Sequence, residues 1–452
     1  MNKHKRSTFS GKLGFVLSAA GASVGLGNIW RFPYLAAKYG GGTFLLTYLI
    51  LTLTFGFSLM ITEVALGRKA GTSAIRAFGH FSKKYTFIGY LTTIIPFIIF
   101  PYYCVIGGWV TKYALVSLQG GIHNAASDTF FTGFISKSAE PMICVLVFLI
   151  ATTVVVAGGV KGGVERVSTI MMPVLIVLLI GVSLFCITRP GAMAGVAYYL
   201  KPNLKGFSPT TILAALGQLF YSMSLAMGIM ITFGSYMPKK ADLEKSVTQV
   251  EIFDTGVAFL AGLMIVPAVF VFSNGDASML AKGPSLMFVM LPKVFDSMAF
   301  SSVIAAVFFI LVLLAALTSS ISLLETLVAV LMDKFHMKRG IACITMFIIA
   351  LLLAVPSSLG FGAWSNITIL GFDFLDFFDF ISNSVLMPIA AFLTCLFVGY
   401  IIKPKVIVDE VESSGEFKRK PLLLIMVKYI APICIVAILV FSVLEGLGFI
   451  TV

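Results

Sequence analysis

The chain has 452 residues, of which 59% are hydrophobic and 12% charged, with a formal charge of +12. A soluble domain carries about twice that share of charge, which excludes a soluble enzyme or nucleic-acid-binding fold and points to a polytopic membrane protein. Nor does the positive charge mark a polyanionic partner, because it gathers in alternate loops between apolar segments.

Segments long enough to cross a bilayer, about 20 residues or more, fall at 13–37, 42–67, 87–118, 141–157, 167–188, 209–236, 251–273, 300–332, 340–355, 376–402 and 422–448. The fourth is short and leans on its neighbours. Basic residues crowd one set of loops: Lys3, Lys5, Arg6 and Lys12, then Arg68, Lys69, Arg76, Lys83 and Lys84, and later Lys239, Lys240, Lys334, Lys338, Arg339, Lys403, Lys418 and Lys420. The positive-inside rule places that side in the cytoplasm, with the N-terminus inside and, after eleven spans, the C-terminus outside. Lys3 to Arg6, the apolar stretch after them and Ala20-Gly21-Ala22 mimic a cleaved leader. Cleavage there would discard half of the first span, so it is read as retained. The six cysteines lie in apolar runs without metal-like spacing and read as buried small side chains.

The first span holds a run that a membrane helix should avoid. In Ala22 to Pro33, Gly25 and Gly27 weaken the helix, Asn28 adds an amide, Arg31 a charge, and Pro33 removes a donor. Helix-compatible sequence on both sides makes this one span broken in its middle. Broken backbone at such depth survives only when buried in protein or lining a polar cavity. A second break of the same kind, Gly217 to Gly228, falls five spans later. Equivalent positions of the two breaks predict an all-α inverted-repeat fold of five plus five spans, discontinuous at spans 1 and 6, with one extra span. The expected divisions are 1–12, repeat one at 13–188, an external loop at 189–208, repeat two at 209–402, a cytoplasmic loop at 403–421 and the last span at 422–452. The stretch 239–245 reads as a solvated helical turn, and the acidic loop 403–420 as a linker with no chemistry.

Gly25-Leu26-Gly27-Asn28-Ile29-Trp30-Arg31-Phe32-Pro33-Tyr34, followed by Gly40-Gly41-Gly42, resembles the neurotransmitter:sodium symporter family. Glu63 to Arg68, Gln218 to Ser224, Ala315 to Ser320 and Asp379 follow in register. The chain lacks a twelfth span, as some bacterial members do. The resemblance implies a carrier in the bacterial cytoplasmic membrane, with a small amino acid and sodium as its partners and no nucleic acid. The glycine-rich stretch 356–372 falls where the family has a hairpin over its external vestibule.

Unwound backbone and hydroxyl oxygens suit a hard cation that must later leave. The resemblance implies two sodium ions. The first would be held by the Ser23 carbonyl, Asn28, Ser222, Asp254 and the substrate carboxylate. The second would be held by the carbonyls of Gly21, Val24 and Ala315 with the hydroxyls of Thr318 and Ser319. The substrate carboxylate would meet the amides of Leu26 and Gly27, at the positive end of a half-helix, and Tyr103. Its side chain would face Ile99, Tyr103, Tyr221, Ser224, Met227, Ser319 and Leu323, with Ser23 and Ser222 completing the site. Gly25 stands where amine transporters of the family carry Asp, which favours a ligand that brings its own carboxylate.

Arg31 and Asp379 are the candidate outer gate, although Asp373 and Asp376 lie close enough to be Arg31's partner instead. Arg6 and Asp333, with Phe9 as a plug, are the candidate inner gate. Glu325 should be protonated or hydrogen-bonded, close to Tyr236. Gly163 and Pro173 match the family's Gly-x9-Pro pattern for unwinding span 5. Asp254 and Ala258 stand where chloride-dependent members carry Asn and Ser, so chloride should not be needed. A proton can replace sodium at Asp254 in the empty carrier. The expected function is sodium-coupled import of a neutral hydrophobic or aromatic L-amino acid by alternating access. The alternatives are a carrier of another small zwitterion and a sensor that binds without transporting. A channel lacks any repeated filter sequence, and a membrane enzyme any clustered histidines or nucleophile motif.

Overall fold

A computed structural model describes residues 7–203, 207–273 and 285–449. Arg6 lies outside the described residues. Among those described, the chain is helices and turns, with isolated bridges pairing Gly41 with Pro202 and Ile369 with Phe372. Nine helices are each long and apolar enough to cross a membrane: Gly42–Ala70, Lys83–Leu118, Ala139–Ala157, Val160–Ile187, Leu243–Phe272, Ser301–Phe335, Arg339–Leu359, Phe374–Ile401 and Lys420–Gly446. The pair Lys12–Ser23 and Gly27–Lys38, bent by 56°, makes one more. Pro209–Ser222 and Ile229–Tyr236 flank a break at residues 223–228 and complete the expected eleven. The broken members are the first and the sixth, as the inverted-repeat fold requires. The spans are numbered here in chain order.

Burial sorts them into inner and outer members. In span 3 78% of the most apolar window is buried, against 33% in spans 5 and 9 and 28% in span 11. Span 3 is therefore central, while 5, 9 and 11 turn most of their apolar surface outward, where lipid takes the place of a protein core.

Three boundaries differ from expectation. Span 5 begins at Val160, so Gly163 lies inside its first, widened turns. Gly163 is needed there for close approach, because a Cβ would collide with the carbonyl oxygen of Val155. Span 7 begins at Leu243, where Asp242 caps the helix by accepting from the Lys245 N–H at 3.0 Å. The residues 242–245, expected as a solvated helical turn, do start a helix, but Leu243 and Glu244 are buried. The loop 403–420 also folds, with a helix over Lys405–Glu412 whose Glu410 is buried.

The break in span 6 has a definite conformation. Ser224, Ala226 and Gly228 alternate at φ 52°, 61° and 72°, a left-handed region that costs non-glycine residues roughly 1–2 kcal/mol each. Two features receive this backbone. The Ala226 N–H donates to Glu63 Oε1 at 2.7 Å. In span 3, Pro96 lacks an N–H and leaves the Thr92 carbonyl outside the helix ladder. That oxygen lies 3.2 Å from where a Gly228 Cβ would sit.

Candidate substrate and ion site

The two breaks meet and are stitched together. The Ser224 hydroxyl donates to the Ala22 carbonyl at 2.9 Å, and Gln218 Nε2 to the Gly27 carbonyl at 2.9 Å. Between them lies a tight cavity of about 30 Å³, room for a water or two as it stands. Its walls bring together Ser23, Gly25, Leu26, Gly27, Ile99, Tyr103, Tyr221, Ser224, Met227, Ser319 and Leu323, all named from the family resemblance, with Ala22, Asn28 and Ile229. Ala22 and Ile229 gave no sign in the sequence beyond adjoining the breaks.

One corner is polar and open. The Ser23 hydroxyl is buried without a hydrogen-bond partner in the described structure, and the Tyr103 hydroxyl makes no hydrogen bond of ordinary geometry, although Ser319 and the Leu26 amide lie beside it. Leaving such a group unpaired costs roughly 1–3 kcal/mol, so both point to something the cavity receives. Gly25 keeps the corner free, since a Cβ there would lie 3.2 Å from the Tyr103 hydroxyl and 2.5 Å from Ser319 Oγ. An aspartate at this position would fill the space in front of Tyr103. At Gly27 a Cβ would come within 2.5 Å of the Tyr221 ring, which therefore packs flat against the backbone.

Beside the cavity is a buried oxygen cluster. Asn28 Nδ2 donates to Ser222 Oγ at 2.9 Å and to Asp254 Oδ1 at 2.7 Å. Ser222 Oγ donates to Asp254 at 2.9 and 3.1 Å, and the Tyr48 hydroxyl approaches it at 3.4 Å. Asn28 Oδ1 accepts from the Gly25 N–H at 3.1 Å, which ties the cluster to the open corner. Ser222, expected to contact both substrate and ion, lies with Asp254 and is not part of the cavity wall. A second oxygen cluster sits across the break. The Ser319 hydroxyl lies 3.2–3.3 Å from the carbonyls of Gly21, Ala22 and Val24. Next to it the Thr318 hydroxyl is 3.0 Å from the Ala315 carbonyl, and Gly21 packs against Thr318. Both donor sets are oxygen, chiefly neutral, and suit an alkali cation. Among the described residues no three His, Cys, Asp or Glu gather as a site for a transition metal would require.

The two sides of the cavity are closed differently. Towards the N-terminal segment, Phe9 is buried in edge contacts with Phe15, Phe233 and Tyr236, and its N–H donates to the Tyr236 carbonyl at 3.0 Å. The Tyr236 hydroxyl donates to Glu325 at 2.8 Å, and both terminal nitrogens of Arg339 reach the same carboxylate at 2.6–2.8 Å. Asp333 accepts from the Ser73 N–H at 2.7 Å. The Ser10 N–H donates to Glu165 at 2.9 Å, beside the first turns of span 5. On the opposite side, Arg31 lies 5.4 Å over the Tyr221 ring and forms no ion pair among the described residues. Asp379 instead accepts from Tyr102 at 3.1 Å and from Asn383 at 2.6 Å. The direct Arg31–Asp379 pair is not made here. Asp373 does not replace it, being the cap of its own helix. Arg339 and Glu165 were missed in the sequence because each reads alone as an ordinary rim charge.

Two helices broken at matched positions, with a small cavity between the breaks, define a membrane transporter. Comparison with known proteins agrees. A profile of the sodium:neurotransmitter symporter family matches residues 6–139 and 132–447. An uncharacterized sodium-dependent transporter, YhdH of Bacillus subtilis, is 35% identical, over 92% of this chain and 92% of its own. An uncharacterized sodium-dependent transporter of Haemophilus influenzae is 34% identical, over 97% of this chain and 98% of its own. The crystal structure of MhsT in complex with L-phenylalanine superposes with a TM-score of 0.88 at 37% identity, covering 97% of this chain and all of that one. The chain belongs to the sodium:neurotransmitter symporter family, a family of sodium-coupled transporters and not of enzymes.

Proposed function

We propose that the protein imports a neutral hydrophobic or aromatic L-amino acid together with two sodium ions, by alternating access and without chloride. The observation that carries this reading is the Tyr103 hydroxyl, without a hydrogen bond of ordinary geometry, at the corner kept open by Gly25. A substrate carboxylate placed there would accept from Tyr103 and from the amides of Leu26 and Gly27. It would also face the Asn28–Ser222–Asp254 cluster, where the first ion completes its shell. The second ion would take the carbonyls of Gly21, Val24 and Ala315 with Thr318 and Ser319. Ile99, Met227 and Leu323 leave the side-chain end apolar. MhsT, crystallised with L-phenylalanine, supports an amino acid of that kind.

Two sodium ions and an ammonium bring three positive charges, and the substrate carboxylate offsets one. Asp254 supplies a fixed negative charge in the cluster, and Ala258, one helical turn on, has no hydroxyl to hold an anion. The side carrying Phe9 and Asp333 faces the cytoplasm in this reading, and the side of Arg31 and Asp379 faces out. Span 5 unwinds between Gly163 and Pro173 to release the second ion inward.

Uptake of labelled leucine, phenylalanine and tryptophan into proteoliposomes tests the proposal. An inward sodium gradient should drive accumulation, potassium should not replace it, and gluconate should replace chloride without loss. Asp254→Asn with Ala258→Ser should gain stimulation by chloride. A wild-type protein that stops in gluconate would overturn the assignment of Asp254, and absence of counterflow would make the protein a sensor.

A further inference from the structure

A second cavity, of about 430 Å³, lies apart from the substrate site on the rim nearest the N-terminal segment. It is bounded by the helix Ala74–Phe81, the first turns of span 3 and the end of span 8. Arg76, His80 and Lys334 are in its wall with Thr72 and Tyr90, and the wall contains no carboxylate. The Arg76 guanidinium has no partner among the described residues, and the Thr72 hydroxyl is buried without one. Lys334 donates to the Tyr90 hydroxyl and lies 4.9 Å over its ring, which holds the ammonium at the cavity edge. The neighbouring acid, Asp333, is engaged by the Ser73 N–H and does not line the cavity.

The same edge continues into an apolar track. Phe87, Tyr90 and Ile94 recur at helical spacing on span 3 and are 51%, 45% and 46% exposed, and Phe335 at the end of span 8 is 63% exposed. A cationic cavity at a helix rim, opening onto lipid-facing apolar side chains, matches a phospholipid headgroup followed by its acyl chain. We propose that this cavity is a binding site for an anionic phospholipid, with the phosphate between Arg76 and Lys334 and an acyl chain along Phe87, Tyr90 and Ile94. A free phosphate would use the cations but not the apolar track, so the two sources are separable.

The test uses the full chain in neutral detergent, titrated with phosphatidylglycerol, phosphatidylcholine or inorganic phosphate. Adducts are read by native mass spectrometry and protection by thermal unfolding. Phosphatidylglycerol should be retained and raise the unfolding temperature, while phosphatidylcholine and phosphate should do neither. Arg76→Gln with Lys334→Gln should weaken phosphatidylglycerol binding roughly thirtyfold, two surface charges' worth. Arg76→Gln alone should weaken it about fivefold, which keeps the test decisive if the double variant fails to fold. Lys403→Gln with Lys405→Gln, on the same side but away from the cavity, should leave binding unchanged. Equal binding of the two lipids, protection by phosphate equal to that by phosphatidylglycerol, or unchanged binding in the Arg76 variants would overturn the proposal.

Discussion

The two ends of the transport site are held by different chemistry. On the N-terminal side, buried charges do the holding. Glu325 is fully buried under Arg339, and Arg68, 2% exposed, is bonded to Glu410 Oε1 at 2.9 Å and to the Ala241 carbonyl at 2.9 Å. The Phe9 aromatic cluster seals the path between them and the cavity. On the other side, Arg31 rests on the Tyr221 ring and Asp379 is satisfied by Tyr102 and Asn383. Removing one partner of a buried ion pair costs about 3–5 kcal/mol, whereas a half-buried cation over an aromatic ring, as Arg31 is, contributes about 1 kcal/mol. The side of Phe9 and Glu325 is therefore the firmly latched one, and the side of Arg31 and Asp379 is held by weaker contacts.

The largest effect that would sharpen this contrast is at Glu410. Glu410→Gln leaves Arg68 buried without its counter-charge and should destabilise the protein by about 3–5 kcal/mol, seen as a large fall in unfolding temperature. Arg68→Met with Glu410→Leu should recover most of it, because the replaced pair no longer carries a desolvated charge. Burial alone would raise the Glu410 carboxyl. The hydrogen bond from Lys239 and the charges of Lys239 and Arg68 outweigh it and hold the group below its ordinary 4.5. Stability from a depressed carboxylate is fully present above its unfolded value and is lost as the pH falls through the folded one. Thermal unfolding of the wild type should therefore be insensitive to this pair from pH 7 down to about 4.5 and weaken only below it.

At the site itself, Tyr103→Phe should weaken amino-acid binding by about 1–3 kcal/mol, the loss of one bond to a charged group. Equilibrium dialysis at saturating sodium reads this directly, and an unchanged affinity would remove Tyr103 from the carboxylate site. Pro173→Ala should slow uptake while leaving sodium binding at equilibrium within about 0.5 kcal/mol, as for a site without lost contacts. Unaltered uptake would make the proline a feature of helix shape alone. The smallest effect is expected at Arg31. Arg31→Gln should change thermal stability by no more than about 1 kcal/mol. A loss as large as that of Glu410→Gln would break the contrast between the two ends.

How much of this was legible depended on the range of the interaction. Gly25, Gly27 and Asn28 announce the first break because each acts on its own backbone, and Ser224 to Gly228 do the same for the second. Eleven spans follow from apolar length. The substrate residues named from the family pattern meet around one cavity, except Ser222, which lies beside Asp254. Pairs distant in the chain left no such trace. Arg68 and Glu410 are 342 residues apart, and Ser10 and Glu165 155 apart. The loop 403–420 has a solvated composition, and only its burial under Arg68 shows that Glu410 is structural. The segment 239–245 read as helical, but nothing local showed that Leu243 and Glu244 are buried.

The most direct test of the central claim is a pair of titrations on the purified protein: amino acid at increasing sodium, and sodium with and without saturating amino acid. If the substrate carboxylate completes the first sodium shell, each ligand raises the other's affinity by the same factor, as linkage requires. Leucine, tyrosine and tryptophan binding equally well in potassium and in sodium would contradict the shared site.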